Sequence, residues 1–270
     1  MSGGVKCWGN NASGELGDGS MTGSPVPVGV AGLSSDVLMI SAGDHHACAV
    51  TTSGALLCWG ANDFGQLGDG TTTNSPVPVE VVGLSSGVTS VSAGAEHTCA
   101  ITSGGVVQCW GNSIATELNA VIESMIPVEV AGLSPGALAV SAGTHHSCVV
   151  TAGGALWCWG ANYTGGLGRD DMSYSTKPIE YEGLSGGILG VATGQHHDCA
   201  LTRAGALLCW GLNGVGQLGY SNPPENETPI PVAVPGLSPA IEVTTGNART
   251  CAITVGGAVE CFGHGDPTAT

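Results

Sequence analysis

The stretch VLMISAGDHHACAVTTSGALLCWG, Val37 to Gly60, reads as three short β-strands. Val37 to Ser41, Ala47 to Thr51 and Ala55 to Trp59 are apolar runs, and Gly, Ser and Asp punctuate the gaps between them. If Thr51 pairs with Ala55, the loop between the second and third runs is Thr52-Ser53-Gly54. A three-residue hairpin loop places its last residue in the left-handed region, which glycine enters without steric cost. Four further loops, Ser103-Gly104-Gly105, Ala152-Gly153-Gly154, Arg203-Ala204-Gly205 and Val255-Gly256-Gly257, also end in glycine. This register sets Cys48 directly opposite Cys58. Opposed residues in a non-hydrogen-bonded antiparallel pair lie close enough for a disulfide.

Outward from this hairpin, the chain repeats. Cys-Trp-Gly starts at Cys7, Cys58, Cys109, Cys158 and Cys209, with Cys261-Phe262-Gly263 as a variant, at intervals of 51, 51, 49, 51 and 52 residues. A period in this range marks a stacked or radial array. The proline-led run SPVPVGV, Ser24 to Val30, supplies a fourth strand and suits a sheet edge, because proline cannot donate to a ladder. The fold class expected is all-β: a β-propeller as one domain over 1–270, with units of roughly 5–54, 55–105, 106–154, 155–205 and 206–257 and a partial unit at 258–263. The inventory is six Cys-Trp-Gly strands and five of each other type. The surplus end strand implies a displaced strand, a segment of a longer propeller, or protomers that complete each other by self-association through end strands.

The hairpin register pairs Cys48 with Cys58, Cys99 with Cys109, Cys148 with Cys158, Cys199 with Cys209 and Cys251 with Cys261. Cys7 is left as a free thiol, its partner position falling before residue 1. Five disulfides place the protein in an oxidising setting, extracellular, periplasmic or at the cell surface. The alternative is reduced, buried cysteine acting as a small hydrophobe.

Composition excludes several classes. Asp and Glu number 21 against five Lys and Arg, a formal net charge of -16. Such a surface repels phosphate backbones and anionic membranes, and no basic cluster occurs, so nucleic acid is not an expected partner. No run of about 18 apolar residues is present, so membrane insertion by a helix is not expected either.

Seven of the eight histidines share one slot, in GDHHAC, GAEHTC, GTHHSC and GQHHDC. His46, His97, His146 and His197 fall opposite Gly60, Gly111, Gly160 and Gly211, so a ring faces a residue without a side chain, which is a packing role. The preceding residues, His45, Glu96, His145 and His196, are a candidate metal ring if the repeat is radial. The simpler reading of these four is a row of polar residues at strand entries.

The unit Gly54 to Thr102 resembles the regulator of chromosome condensation (RCC1) repeat. The resemblance rests on the WG pair, the NxxGQLG turn, the proline strand, the VxxVxAG strand and the GxxH before a small-residue strand. It implies a propeller with about four strands per blade, and the cysteine pairs look like a bacterial, cysteine-containing branch. The third unit lacks the turn, with Asn112 to Leu118 in its place, and the fifth inserts Ser221 to Glu227. Symmetry-breaking loops are where binding specificity is expected.

The function these features favour is a non-catalytic extracellular binding or scaffold module that engages a protein partner. Its candidate loop residues are Asp63, Phe64, Glu117, Tyr163, Arg169, Tyr174, Tyr181, Tyr220 and Glu225, since loop aromatics often anchor interfaces. The alternatives are a propeller hydrolase or lyase, a glycan-binding module, and nucleotide exchange on a small GTPase as the family's founding member performs it. No GxSxG elbow or Ser/His/Asp signature occurs, and no cofactor is implied. Asn-x-Ser/Thr sequons stand at Asn11, Asn162 and Asn226.

Overall fold

The cysteine hairpins close around glycine. The computed structural model describes residues 3–112, 124–169, 172–220 and 226–264. In it Gly54, Gly105, Gly154, Gly205 and Gly257 all have φ between 72° and 80°. The Thr51 N–H donates to the Ala55 carbonyl at 2.9 Å and shuts the first loop. Beyond the loop, Cys48 opposes Cys58, and the other four pairs follow the same register. All five pairs are disulfides, with Cα atoms 4.0–4.1 Å apart, the spacing of a non-hydrogen-bonded pair. Cys7 is a free, half-buried thiol. Replacing both Cys99 and Cys109 with alanine frees a short loop in the unfolded chain and is expected to cost about 2–3 kcal/mol. Urea unfolding against the parent chain measures this.

Each hairpin is the middle of a meander. Strands β1 (Lys6–Gly9) and β2 (Ser24–Gly29) form a two-stranded sheet. Four complete sheets follow. The first comprises β3 (Val37–Ala42), β4 (His46–Thr51), β5 (Leu56–Gly60) and β6 (Ser75–Glu80). The second comprises β7 (Val88–Ala93), β8 (His97–Thr102), β9 (Val107–Gly111) and β10 (Ser124–Glu129). The third comprises β11 (Ala137–Ala142), β12 (His146–Thr151), β13 (Leu156–Ala161) and β14 (Tyr174–Glu180). The fourth comprises β15 (Ile188–Thr193), β16 (His197–Thr202), β17 (Leu207–Leu212) and β18 (Glu227–Ala233). Last, β19 (Ala240–Thr245), β20 (Arg249–Thr254) and β21 (Val259–Gly263) form a three-stranded sheet. Every pairing is antiparallel, and the proline-led strand takes the edge in each complete sheet, as its missing N–H requires. Among the described residues there is no helix, and so none long and apolar enough to cross a membrane.

The chain divides into two compact units, Met1–Gly136 and Ala137–Thr270. Within each, the second strand of one sheet packs on the first strand of the next: β4 on β7 in the first unit, β12 on β15 and β16 on β19 in the second. The tryptophan of Cys-Trp-Gly locks these sheets together. Trp59, Trp110, Trp159 and Trp210 are fully buried. The first-unit rings pack among Val5, Val30, Leu33 and Val37 around Trp59, and among Leu56, Leu67, Leu84 and Val88 around Trp110. Three of the four indole N–H groups reach back to the turn after the preceding Cys-Trp-Gly strand. Trp59 donates to the Glu15 carbonyl at 3.0 Å, Trp110 to that of Gln66 at 2.9 Å and Trp210 to that of Gly166 at 3.1 Å. The Trp159 indole has no hydrogen-bond partner among the described residues.

The turn itself is built around a buried asparagine. The Oδ1 atoms of Asn11, Asn62, Asn162 and Asn213 accept the N–H groups of Leu16, Leu67, Leu167 and Leu218 at 2.8–3.0 Å. Their amides donate to carbonyls across the loop, such as Thr22 and Thr73. Two of the three sequons are thereby spent on structure, since Asn11 and Asn162 are buried and Asn226 alone of the three is exposed.

Candidate functional site

The histidine slot is a staple between adjacent sheets. His46 pairs with Gly60 across the hairpin, and His97, His146 and His197 pair with Gly111, Gly160 and Gly211. These glycines have φ of 97–107°, and a Cβ there would stand 2.6–2.8 Å from the histidine Cα. The space that glycine leaves is taken by the backbone of the histidine strand, and the rings of His46, His146 and His197 point at the next sheet. His46 Nε2 lies 2.8 Å from Thr98 Oγ1, and Thr98 in turn donates to the Gln66 carbonyl at 2.8 Å. The hydroxyl proton is thus committed, so Nε2 carries the hydrogen and donates to it. His197 repeats the arrangement through Thr250 to the Gln217 carbonyl.

The chemistry of protonation follows. His46 Nδ1 and His197 Nδ1 are buried acceptors with no partner among the described residues. Burial, aided by the neighbouring charge of His45, pushes His46 down to about 4. Burial also pushes His197 down to about 4, against the pull of Asp198 and with the help of His196.

One staple differs. At the position held by Thr98 and Thr250, the fourth copy has Asp198, which is fully buried. His146 Nε2–H donates to Asp198 Oδ1 at 2.8 Å. Burial opposes a charge on His146, but the Asp198 carboxylate and its hydrogen bond prevail and raise the ring above its ordinary value. Asp198 cannot donate to a turn carbonyl as threonine does, and its Oδ2 has no partner among the described residues. Gly166 occupies the slot of Gln66 and Gln217, and a Cβ there would stand 3.1 Å from Asp198 Oδ2 and 3.3 Å from His146 Nε2. The carboxylate and the glycine are a matched pair. Gly166→Gln is therefore expected to cost about 1–3 kcal/mol by overpacking. In Asp198→Thr the same change should cost at least 1 kcal/mol less, a coupling that a double-mutant cycle of urea midpoints reads.

The residues that precede the staple go to separate neighbours. His45 Nδ1 lies 4.0 Å from Glu15 Oε1, Glu96 accepts from the Asn112 amide, and His145 meets Tyr163 edge-on at 6.0 Å between centroids. Among the described residues no group of three or more His, Cys, Asp or Glu side chains is placed to hold a metal ion. His196 likewise joins no such group.

The loop residues separate into buried and exposed. Tyr181 is not a surface residue: it is 1% exposed, tilted against Trp210 at 4.8 Å, with its hydroxyl donating to the Pro229 carbonyl. It fills the slot that Val30, Val81, Val130 and Val234 hold in the other copies, which the repeat alignment alone would have revealed. Phe64 and Tyr220 are half-buried, and Tyr220 packs at the margin of the last core cluster. Arg169 and Asp63 are exposed, and the Arg169 carbonyl accepts from Asn162. Glu117 and Glu225 lie outside the described residues. Tyr163 and Tyr174 are 70% and 63% exposed, at the same end of β13 and β14, where Ala161 pairs with Tyr174 and the Asn162 N–H meets the Ser173 carbonyl.

Comparison with known proteins places these features. Residues 1–269 match the model of the RCC1-like domain. The ultraviolet-B receptor UVR8 of Arabidopsis thaliana is 32% identical, over 97% of this chain and 61% of that protein. The probable E3 ubiquitin-protein ligase HERC6 of Homo sapiens is 32% identical, over 95% of this chain and 26% of its own length. The chain thus spans less than two thirds of the length of these curated relatives. Among solved structures, human WBSCR16 superposes with a TM-score of 0.77 at 21% identity, covering 91% of this chain and 66% of that one. Yeast RCC1 (Prp20), solved bound to Kap60, superposes at 0.63 with 18% identity, covering 98% and 80%. At these identities the structures establish the β-propeller fold.

Proposed function

The chain belongs to the RCC1-like domain family, and from that premise we propose that it is a non-catalytic binding module, exported to an oxidising compartment, that engages a protein partner through Tyr163 and Tyr174. The single observation that carries the reading is the exposure of these two rings on one sheet end. The Tyr163 slot holds Ala12, Asp63 and Gly214 in other copies, and the Tyr174 slot holds Gly23 and Asn74. The repeat therefore needs no aromatic at either place, and large rings on a loop are typical interface anchors. His145 braces Tyr163 edge-on and limits the entropy lost when the ring is covered. The oxidising compartment is supported by five disulfides in a chain of 270 residues. A bacterial origin is an inference from the same cysteine pairs. A yeast relative of the same fold is seen bound to a protein, Kap60, which agrees with partner binding as a use of this scaffold.

Exposed tyrosine rings also stack on sugars, so a glycan-binding module is the second reading. One experiment separates the two. A photo-crosslinking phenylalanine analogue at position 163 should capture a discrete protein from the secreted and surface fractions of the source cells. The same analogue at Val255, which is 68% exposed, should not. Tyr174→Ser should lower the yield at least tenfold, about 1.4 kcal/mol of binding. Binding to a glycan array without protein capture supports the second reading, and capture from the cytosolic fraction alone contradicts export.

A further inference from the structure

The turn that carries Tyr163 is held by fewer contacts than the other turns built around a buried asparagine. In the Gln66 turn the glutamine closes the loop on itself, its Oε1 accepting the Phe64 N–H at 3.0 Å, and its carbonyl receives the Thr98 hydroxyl at 2.8 Å. The Gln217 turn repeats both bonds, with the Val215 N–H at 3.0 Å and the Thr250 hydroxyl at 2.8 Å. The Glu15 turn keeps the first of them, through the Ser13 N–H at 2.8 Å. The Tyr163 turn has neither. Gly166 offers no side chain to the Thr164 N–H, and the Asp198 carboxylate, in the threonine slot, has no proton for the Gly166 carbonyl. Gly165 and Gly166 also stand in succession, and paired glycines widen the backbone conformations open to a turn. Three bonds remain. Asn162 Oδ1 accepts from Leu167, the Gly165 carbonyl accepts from Gly168, both at 2.8 Å, and the Trp210 indole donates to the Gly166 carbonyl at 3.1 Å. From outside, His145 touches the Tyr163 ring edge-on.

Under the turn lies a group that closure leaves unsatisfied. Asp198 is fully buried, and its Oδ2 has no partner among the described residues. A Cβ at Gly166 would stand 3.1 Å from that oxygen, so Oδ2 faces the turn. Burying an acceptor without a donor costs free energy that water returns on exposure. We propose that the turn Asn162–Gly168 opens as a local unit, lifting Tyr163 and admitting water to Asp198, while the sheets on either side stay folded. The flanking hairpins are closed by the Cys148–Cys158 and Cys199–Cys209 disulfides, which confine the opening to the turn. Asp198 and Gly166 are then positioning residues that together set how freely the Tyr163 ring moves. The use of this opening rests on the reading of Tyr163 as a partner anchor: binding elements are drawn from the least stable parts of a fold.

Native-state hydrogen exchange followed by NMR tests the opening with no partner present. After correction for intrinsic rates, the Leu167 and Gly168 amides should exchange at least about tenfold faster than Leu218 and Gly219, which make the same bonds in the Gln217 turn of the same unit. This fast exchange should be indifferent to low urea, because a local opening exposes little surface. Asp198→Thr combined with Gly166→Gln restores both missing bonds, and should slow Leu167 and Gly168 to the rates of Leu218 and Gly219. Equal rates in the two turns of the parent chain, a urea dependence matching global unfolding, or unchanged rates in the double variant would each overturn the proposal. If the double variant does not fold, the parent comparison decides alone. Failure to capture a partner at position 163 would overturn the partner reading and leave the opening standing.

Discussion

Between pH 6.5 and pH 4 each of the two units is expected to lose about 3 kcal/mol of stability to a single histidine. The residues are His46 in the first unit and His197 in the second. Both are held near pKa 4 when folded, chiefly by burial. Their Nε2–H groups are committed to Thr98 and Thr250, and their Nδ1 atoms have no partner among the described residues. The unfolded chain regains the ordinary histidine value of 6.5 and binds the proton that the folded chain refuses. Stability therefore falls as pH falls through this window, and is fully present above it. His146 behaves in the opposite sense. Its folded pKa is raised by Asp198, so its contribution is present below pH 6.5 and fades as pH rises through the folded value. Thermal melts from pH 7 to pH 4 should show the acid loss, and His46→Gln with His197→Gln should flatten it. A slope that survives both changes would mean that other groups, the carboxylates above all, govern acid sensitivity.

The second large effect sets two tryptophans of one motif against each other. Trp110→Ala should destabilise the first unit by about 4–5 kcal/mol. Its ring is fully buried among Leu56, Leu67, Leu84 and Val88, and its indole N–H shares the Gln66 carbonyl with Thr98. Alanine leaves a cavity between two sheets whose disulfides resist collapse into it. Trp8→Ala removes the same side chain from the same tripeptide at a site 63% exposed, and should change stability by no more than about 0.5 kcal/mol. Urea midpoints of the two variants test the pair. Equal effects would refute the view that the Trp–turn contact, rather than the Cys-Trp-Gly hairpin itself, joins neighbouring sheets.

Much of this was legible in the chain because the repeat reports on itself. Glycine in the third loop slot of five hairpins fixed the register, and the register fixed the disulfides. The strand inventory of six Cys-Trp-Gly strands and five of each other type is the one observed. What the motif concealed was environment. Trp8 and Trp110 read identically, and the tripeptide itself does not say that the Gly65–Gly68 turn lies against the Trp110 ring while Trp8 stays exposed. Tyr181 read as a surface aromatic because tyrosine often is, although its slot is valine in four other copies. The Asp198–Gly166 match was hidden for a different reason. Each is a single departure from the repeat, and they explain each other only once His146 is seen to bridge two sheets. His45, Glu96, His145 and His196 share a slot in the sequence, yet the first three turn to separate local partners, and no group of three or more metal-ligating side chains forms among the described residues.

The oxidised hairpins support both the brace of the fold and the search for a partner outside the cytosol. The most direct test is the intact mass of the protein taken from its source and alkylated without reduction. Five bridges predict at most one alkyl group per chain, on Cys7. Labelling of most of the eleven cysteines would contradict the account, and the partner would then be sought in a reducing compartment.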